Sequence, residues 1–260
     1  MPDAAADTEL LAQAAEAAGE IALRHFRNDP AVYDKPGEGP VTEADLEINE
    51  MLHDRLGRAR PGYGWLSEES PDGTARLGAE RVFIVDPIDG TRSFINGETG
   101  FSVALAVAER GRVIAAAVHL PAREESFTAT LGAGALKNGA RIAASGASDP
   151  KASTVLTARK QLSSEHWPGG VPPFERHFRS SLAWRMCLVA EGRFDCMLTF
   201  RDAWEWDIAA GTLIAAEAGA IVTDGRGGAM AFNSAQAKQA GVLAAPDPLH
   251  TRLMAYRAPG

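Results

Sequence analysis

Apolar positions recur along the chain with two different periods. Leu10, Leu11, Ala14, Ala18 and Ile21 fall at helical spacing with His25, which predicts an amphipathic helix over residues 8–27, ending before Asp29-Pro30. A turn-rich stretch from Asp34 to Pro40 leads into a second helix. Thr42-Glu43-Ala44-Asp45 opens it as a capping box, and Ile48, Met51, Leu52 and Leu56 form its buried stripe, with Gly57 near the end. The period then changes. Val82–Val85 is a continuous β-prone run that predicts a short buried strand ending at Asp86-Pro87. Residues 101–108 and 112–120 read as an antiparallel hairpin turning at Glu109-Arg110-Gly111, and a second hairpin signal follows in Phe127–Thr130 and the Asn-Gly turn of Lys137-Asn138-Gly139-Ala140. Beyond it, helices over 182–191, 207–218 (closed by Gly219) and 249–256 alternate with strands over 194–200, 221–223 and 242–245. Helices, antiparallel strands, then alternating helix and strand predict a layered mixed α/β (α+β) fold rather than a Rossmann fold. The expected division is an α+β subdomain over 1–147 and an α/β subdomain over 148–260.

Composition narrows the function classes. With 45% hydrophobic and 23% charged residues the chain reads as a soluble globular protein rather than a disordered one. A net charge of −8 argues against a nucleic-acid polymer as partner, because that needs a basic footprint. No apolar run is long enough to span a membrane, and Asp3, Asp7 and Glu9 stand where a secretory signal carries basic residues, so a cytoplasmic setting is expected. Cys187 and Cys196 have no metal-site or disulfide-framework spacing and read as two buried thiols.

The candidate chemistry lies in three acidic segments: Ser67-Glu68-Glu69-Ser70, Asp86-Pro87-Ile88-Asp89-Gly90-Thr91 and Trp204-Glu205-Trp206-Asp207. Each has an ordinary explanation when taken singly. Glu68-Glu69 reads as a solvated loop, Asp89-Gly90 as a turn, Asp207 as a helix cap and Asp45 as part of a capping box. Taken together they put several carboxylates in apolar settings, where they repel and take up protons unless a cation holds them ionised. All-oxygen donors select a hard cation such as Mg²⁺. Gly90 permits a close backbone approach and Thr91 adds a hydroxyl, so metal and phosphate can share one site. The separation of Asp86 from Asp89 by Pro87 and Ile88 does not fit the D-x-D-x-T pattern of phosphatases with an aspartyl nucleophile. Gly132–Lys137 lacks the order of a P-loop.

In the order Lys35, Val41-Thr42-Glu43-Ala44-Asp45, Ser67–Ser70, Asp86–Thr91 and Trp206-Asp207-Ile208-Ala209-Ala210-Gly211, the chain resembles the inositol monophosphatase superfamily of magnesium-dependent, lithium-sensitive phosphatases over nearly its whole length. The resemblance implies an αβαβα sandwich, usually a homodimer, with two to three Mg²⁺ per active site. It further implies that Glu68, Asp86 and the Ile88 carbonyl hold one metal, that Asp86, Asp89 and Asp207 hold a second, and that a third sits near Glu68 with Asp45 in its outer shell. Thr91, helped by Asp45 or Glu68, would orient and activate water, while the Gly90 and Thr91 amides hold the phosphate. The expected partner is a small phosphorylated metabolite.

The alcohol is less defined. Inositol 1-phosphate leads, but Phe200 stands where an acid contacting inositol is expected, leaving Asp202 or Glu205 to substitute. The stretch Ser180–Gly192 is similar to 3'(2'),5'-bisphosphate nucleotidases of the same superfamily, for which Arg201 would pair with a second phosphate. Histidinol phosphate is a third alternative. Arg201, Ser181 and Asp207 are the candidate substrate contacts. A non-catalytic regulatory binding protein is the alternative from a different class.

Overall fold

A computed structural model describes residues 3–35 and 39–257. The first helix, α1 (Ala4–His25), starts earlier than its apolar stripe because Asp3 caps it, accepting the Ala6 N–H at 2.8 Å. The stretch expected as a turn contains strands β1 (Val32–Lys35) and β2 (Gly39–Thr42), paired antiparallel. Its tip, residues 36–38, and the Lys35 side chain lie outside the described residues. Thr42 caps α2 (Glu43–Ala59) in the reciprocal arrangement its sequence predicts: Asp45 N–H donates to the Thr42 hydroxyl, and the Asp45 carboxylate accepts the Thr42 N–H at 2.8 Å.

A large sheet follows, made of β3 (Gly64–Ser67), β4 (Arg81–Asp89), β5 (Ser102–Glu109), β6 (Arg112–Leu120), β7 (Glu125–Thr130), β8 (Gly134–Lys137) and β9 (Ala140–Arg141), in that spatial order. Only β3 and β4 pair in parallel. The one-turn helix α3 (Thr91–Ile95) lies between β4 and β5. Asn138 and Gly139 both have positive φ, at 47° and 79°, so the Asn-Gly turn that joins β8 to β9 has the hand of a type I′ hairpin.

The second half builds β10 (Thr154–Leu156), β11 (Glu175–His177), α4 (Leu182–Ala190), β12 (Cys196–Thr199), β13 (Ala203–Trp204), α5 (Glu205–Glu217), β14 (Ala220–Thr223), β15 (Lys238–Gln239), β16 (Val242–Pro246) and α6 (Asp247–Arg257). Its main sheet runs β11-β10-β12-β16-β14, and β13 and β15 form a separate short ladder.

Side-chain alternation along the strands turns these elements into five layers. Phe83, Val85, Leu105 and Val107 meet Leu11, Ala18, Ile48 and Leu52 of α1 and α2. Their neighbours Val82, Ile84, Ala104 and Ala106 face Met186, Leu188, Ile208 and Ala209 of α4 and α5, which also cover Leu156, Met197 and Ala244 of the second sheet. The other face of that sheet, with Val155, Leu198 and Leu243, packs on Leu249 and Leu253 of α6. Each Leu so buried contributes about 1.5–3 kcal/mol. Gly211 lets the two middle helices approach closely, since a Cβ there would stand 2.7 Å from Met186 Cβ. The layers form the αβαβα sandwich expected from the sequence, and both cysteines are buried free thiols.

Candidate active site

Two carboxylates come from one irregularity in β4. The strand does not stop at Asp86; it continues through Pro87 and Ile88 to Asp89. Asp86 stands opposite Ala104 and Asp89 opposite Ser102, so three steps on β4 match two on β5. That is a β-bulge, and a proline, which lacks a donor for the ladder, suits it. In a regular strand residues three apart point to opposite faces. The extra residue restores the same face, so Asp86 and Asp89 both point toward α4 and α5 alongside Ala104.

The other acids arrive from neighbouring elements. Glu68 directly follows β3, and its N–H donates to the Val85 carbonyl at 3.2 Å, next to Asp86. Asp45 is fully buried at the start of α2. Asp207 is the third residue of α5, inside its first turn; the N-cap position belongs to Trp204, so Asp207 is not the cap its sequence position allowed. Burial, reinforced by Glu68, Asp89, Asp207 and Asp45, pushes the Asp86 carboxyl well above the ordinary carboxylate range. Burial does the same to Asp207, with Asp89 and Glu68 adding to it and Arg201 and Arg185 opposing it. Burial lifts Asp89 to about 6, against the pull of Ser181 and the Ala183 N–H.

Among the described residues no three His, Cys, Asp or Glu side chains close on one point as a ready-made cation cage. The residues nevertheless fit a hard cation: both oxygens of Asp86 are buried and have no hydrogen-bond partner among the described residues. An orphaned buried carboxylate facing other acids costs free energy that a bound cation recovers.

Beside the acids, Gly90 adopts φ 99° and ψ 35°, and a Cβ there would meet the Gly100 carbonyl oxygen at 3.0 Å. Only glycine suits both restrictions. The chain then enters α3 at Thr91, whose hydroxyl donates to the Ile88 carbonyl at 3.1 Å.

The expected substrate contacts divide. Arg201 is exposed and acts electrostatically on Asp207. Ser181 has a different place from the one expected: it is fully buried as the N-cap of α4, and its hydroxyl donates to Asp89 Oδ2 at 2.6 Å. It therefore positions a carboxylate rather than touching substrate. Glu205, a possible stand-in for an inositol-contacting acid, is also fully buried. Its Oε2 accepts the Asn233 N–H at 2.5 Å and its Oε1 the Ser234 N–H at 3.0 Å, so it holds a loop. Phe200 packs with Trp167 and under the Arg257 guanidinium, and Asp202 is exposed. Sequence reasoning missed Arg185, a buried cation in the otherwise apolar α4, although a lone Arg in such a run was itself a signal. A cleft of about 500 Å³ adjoins Glu68, lined on one side by residues 67–72 and on the other by the stacked Trp204 and Trp206 with Gln236 and Ala237.

The sequence model of the inositol monophosphatase family matches residues 3–258. An inositol-1-monophosphatase of Rhizobium meliloti is 36% identical over 72% of this chain and 73% of its own length. A histidinol-phosphatase of Chlorobaculum parvum is 33% identical over 85% and 86%. The crystal structure of extragenic suppressor protein suhB from Bartonella henselae superposes with a TM-score of 0.85 at 27% identity, covering 98% of this chain and 99% of that one. Fold, carboxylates and relatives together define a phosphoric monoester hydrolase. The chain belongs to the inositol monophosphatase family.

Proposed function

We propose that this chain is a magnesium-dependent hydrolase of a small phosphate monoester, with inositol 1-phosphate as its reference substrate. The observation that carries the metal is the buried Asp86 carboxylate, unpartnered among the described residues and faced by Glu68, Asp89, Asp207 and Asp45. Glu68, Asp86, Asp89, Asp207 and the Ile88 carbonyl would hold two to three Mg²⁺, which when bound supply Lewis-acid activation of water and neutralise phosphate charge. The chain's own residues do the rest. The Thr91 hydroxyl proton is engaged on Ile88, so its oxygen offers lone pairs to an approaching water. Asp45 and Glu68 are the carboxylates that would take up the water's proton, and the Gly90 and Thr91 amides would orient the phosphate. Lithium inhibition, a homodimer and a cytoplasmic setting belong to the same reading, supported by resemblance to the family.

The test is phosphate release with Mg²⁺ or with EDTA from inositol 1-phosphate, adenosine 3',5'-bisphosphate and histidinol phosphate at matched concentrations. Magnesium-dependent release from at least one is the expected result. No release from any of them refutes the proposal.

A further inference from the structure

Glu68 leaves β3 on a loop with an opening on either side. Residues 67–72 line the cleft described above, and residues 69–71 also line a second cleft, of about 670 Å³, which they share with Trp65 and with Asn49 and the turn of α2 that follows it. A segment that stands between two clefts has little apolar packing to set its position, so its hydrogen bonds decide where it lies.

Those hydrogen bonds converge on Asn49. Its Oδ1 accepts the Ser67 hydroxyl at 2.7 Å, and its Nδ2 donates to the Ser70 hydroxyl oxygen at 3.1 Å and to the Glu69 carbonyl at 3.3 Å. Ser70 also accepts the Trp65 indole N–H at 3.1 Å, and the Ser67 hydroxyl oxygen accepts the Glu69 N–H at 3.3 Å. One side chain thus holds the residue before Glu68 and the two after it, while the N–H of Glu68 itself is held by the Val85 carbonyl. The clasp needs an acceptor and a donor on the same planar group, which an amide supplies and a hydrocarbon of similar size does not. Asn49 stands four residues after Asp45 on α2, on the same helical face, and Asp45 is fixed in turn by its capping box with Thr42. A single helix therefore carries one of the two proposed proton acceptors, Asp45, and clasps the loop that carries the other, Glu68.

We propose that Asn49 is a positioning residue for Glu68, holding the loop backbone so that the Glu68 carboxylate is presented to the metal. The inference rests on the phosphatase reading above, in which Glu68 is a ligand. Were Asn49 only a stabilising tie, its loss would lower the stability of the chain and leave its metal affinity unchanged.

The test is titration of the full chain, without substrate, with Mn²⁺ in place of Mg²⁺, a cation that takes the same oxygen ligands and whose free form is counted by electron paramagnetic resonance. Parent, Asn49→Ala, Asn49→Leu, Glu68→Gln and the Asn49→Ala/Glu68→Gln double variant are compared, with urea unfolding of the same preparations. Both Asn49 substitutions should weaken Mn²⁺ binding ~10-fold or more, the range for lost support around a metal ligand. That loss should disappear in the Glu68→Gln background, because the two changes act through one carboxylate. Parental affinity in both Asn49 variants, or an equal loss with and without Glu68, overturns the inference and leaves Glu68 as a ligand. A Glu68→Gln chain that binds Mn²⁺ as the parent does refutes Glu68 as a ligand, and the inference falls with it.

Discussion

The Ser181 hydroxyl donates to Asp89 Oδ2 at 2.6 Å, while Ser102 stands 3.0 Å behind it and the Trp184 N–H donates to the same oxygen of Ser181. One serine thus caps a helix and orients a carboxylate contributed by another layer of the fold. Ser181→Ala should weaken Mg²⁺ activation roughly 10-fold or more, in the range of lost supporting contacts around metal ligands. Because Ser181 holds the Asp89 pKa down, its loss should also move the acid limb of the pH–rate profile upward. An unchanged limb would show that Asp89 keeps its ionisation without this hydroxyl.

Arg76 and Asn233 exchange hydrogen bonds in both directions, at 2.6 and 3.0 Å, and Asn233 in turn donates its N–H to Glu205. The chain ties the segment after the Glu68 loop to the start of the Asp207 helix, on either side of the cleft. Glu205→Ala leaves the Asn233 and Ser234 N–H groups and the Gln239 side-chain amide without this acceptor, a loss of about 2–4 kcal/mol. Urea unfolding measures it directly. A change below about 0.5 kcal/mol, the range of ordinary surface substitutions, would mean that the loop does not depend on Glu205.

The elements around this site were legible to different degrees. Thr42 and Asp45 announced a capping box that the structure contains, and the apolar stripes of α1 and α2 gave their buried faces, because both signals are local. The β-prone run Val82–Val85 predicts a strand ending at Asp86-Pro87; its continuation is visible only in the register with β5, which pairs Asp89 with Ser102. For the same reason the bulge that turns Asp86 and Asp89 to one face had no sequence signature. The glycines and prolines of residues 36–40 concealed β1 and β2. The partners that occupy Glu205, Asn233 and Ser234, lie far along the chain, and Arg185 stands inside an apolar run, so neither role has a local signal.

Thr91 offers a separate check on the chemistry. Thr91→Ala removes the hydroxyl bonded to Ile88 while leaving every carboxylate in place. Turnover should fall by roughly 10²-fold, the cost of misplacing a reacting group, with metal affinity much less affected. Serine at this position should recover part of the rate. A Thr91→Ala enzyme with parental kcat would remove Thr91 from the mechanism.

Asp86 links pH, metal and stability. Its folded pKa lies well above its unfolded value, so between the two the folded state binds the extra proton and metal-free stability falls as pH rises. Asp89 contributes in the same direction, from its ordinary range up to about 6, and Asp207 does so to higher pH. Asp86→Asn removes the charge and nearly preserves the shape. Thermal melts without metal should therefore show the variant gaining on the parent as pH rises from about 5 to 8, at about 2–4 °C per kcal/mol for a chain of this size. Mg²⁺ should reverse the order at pH 8, since it stabilises the chain that keeps the ligand, and hydrolysis should be abolished in the variant. Parallel melting curves at all pH values, with and without Mg²⁺, would contradict the proposal that Asp86 holds the metal.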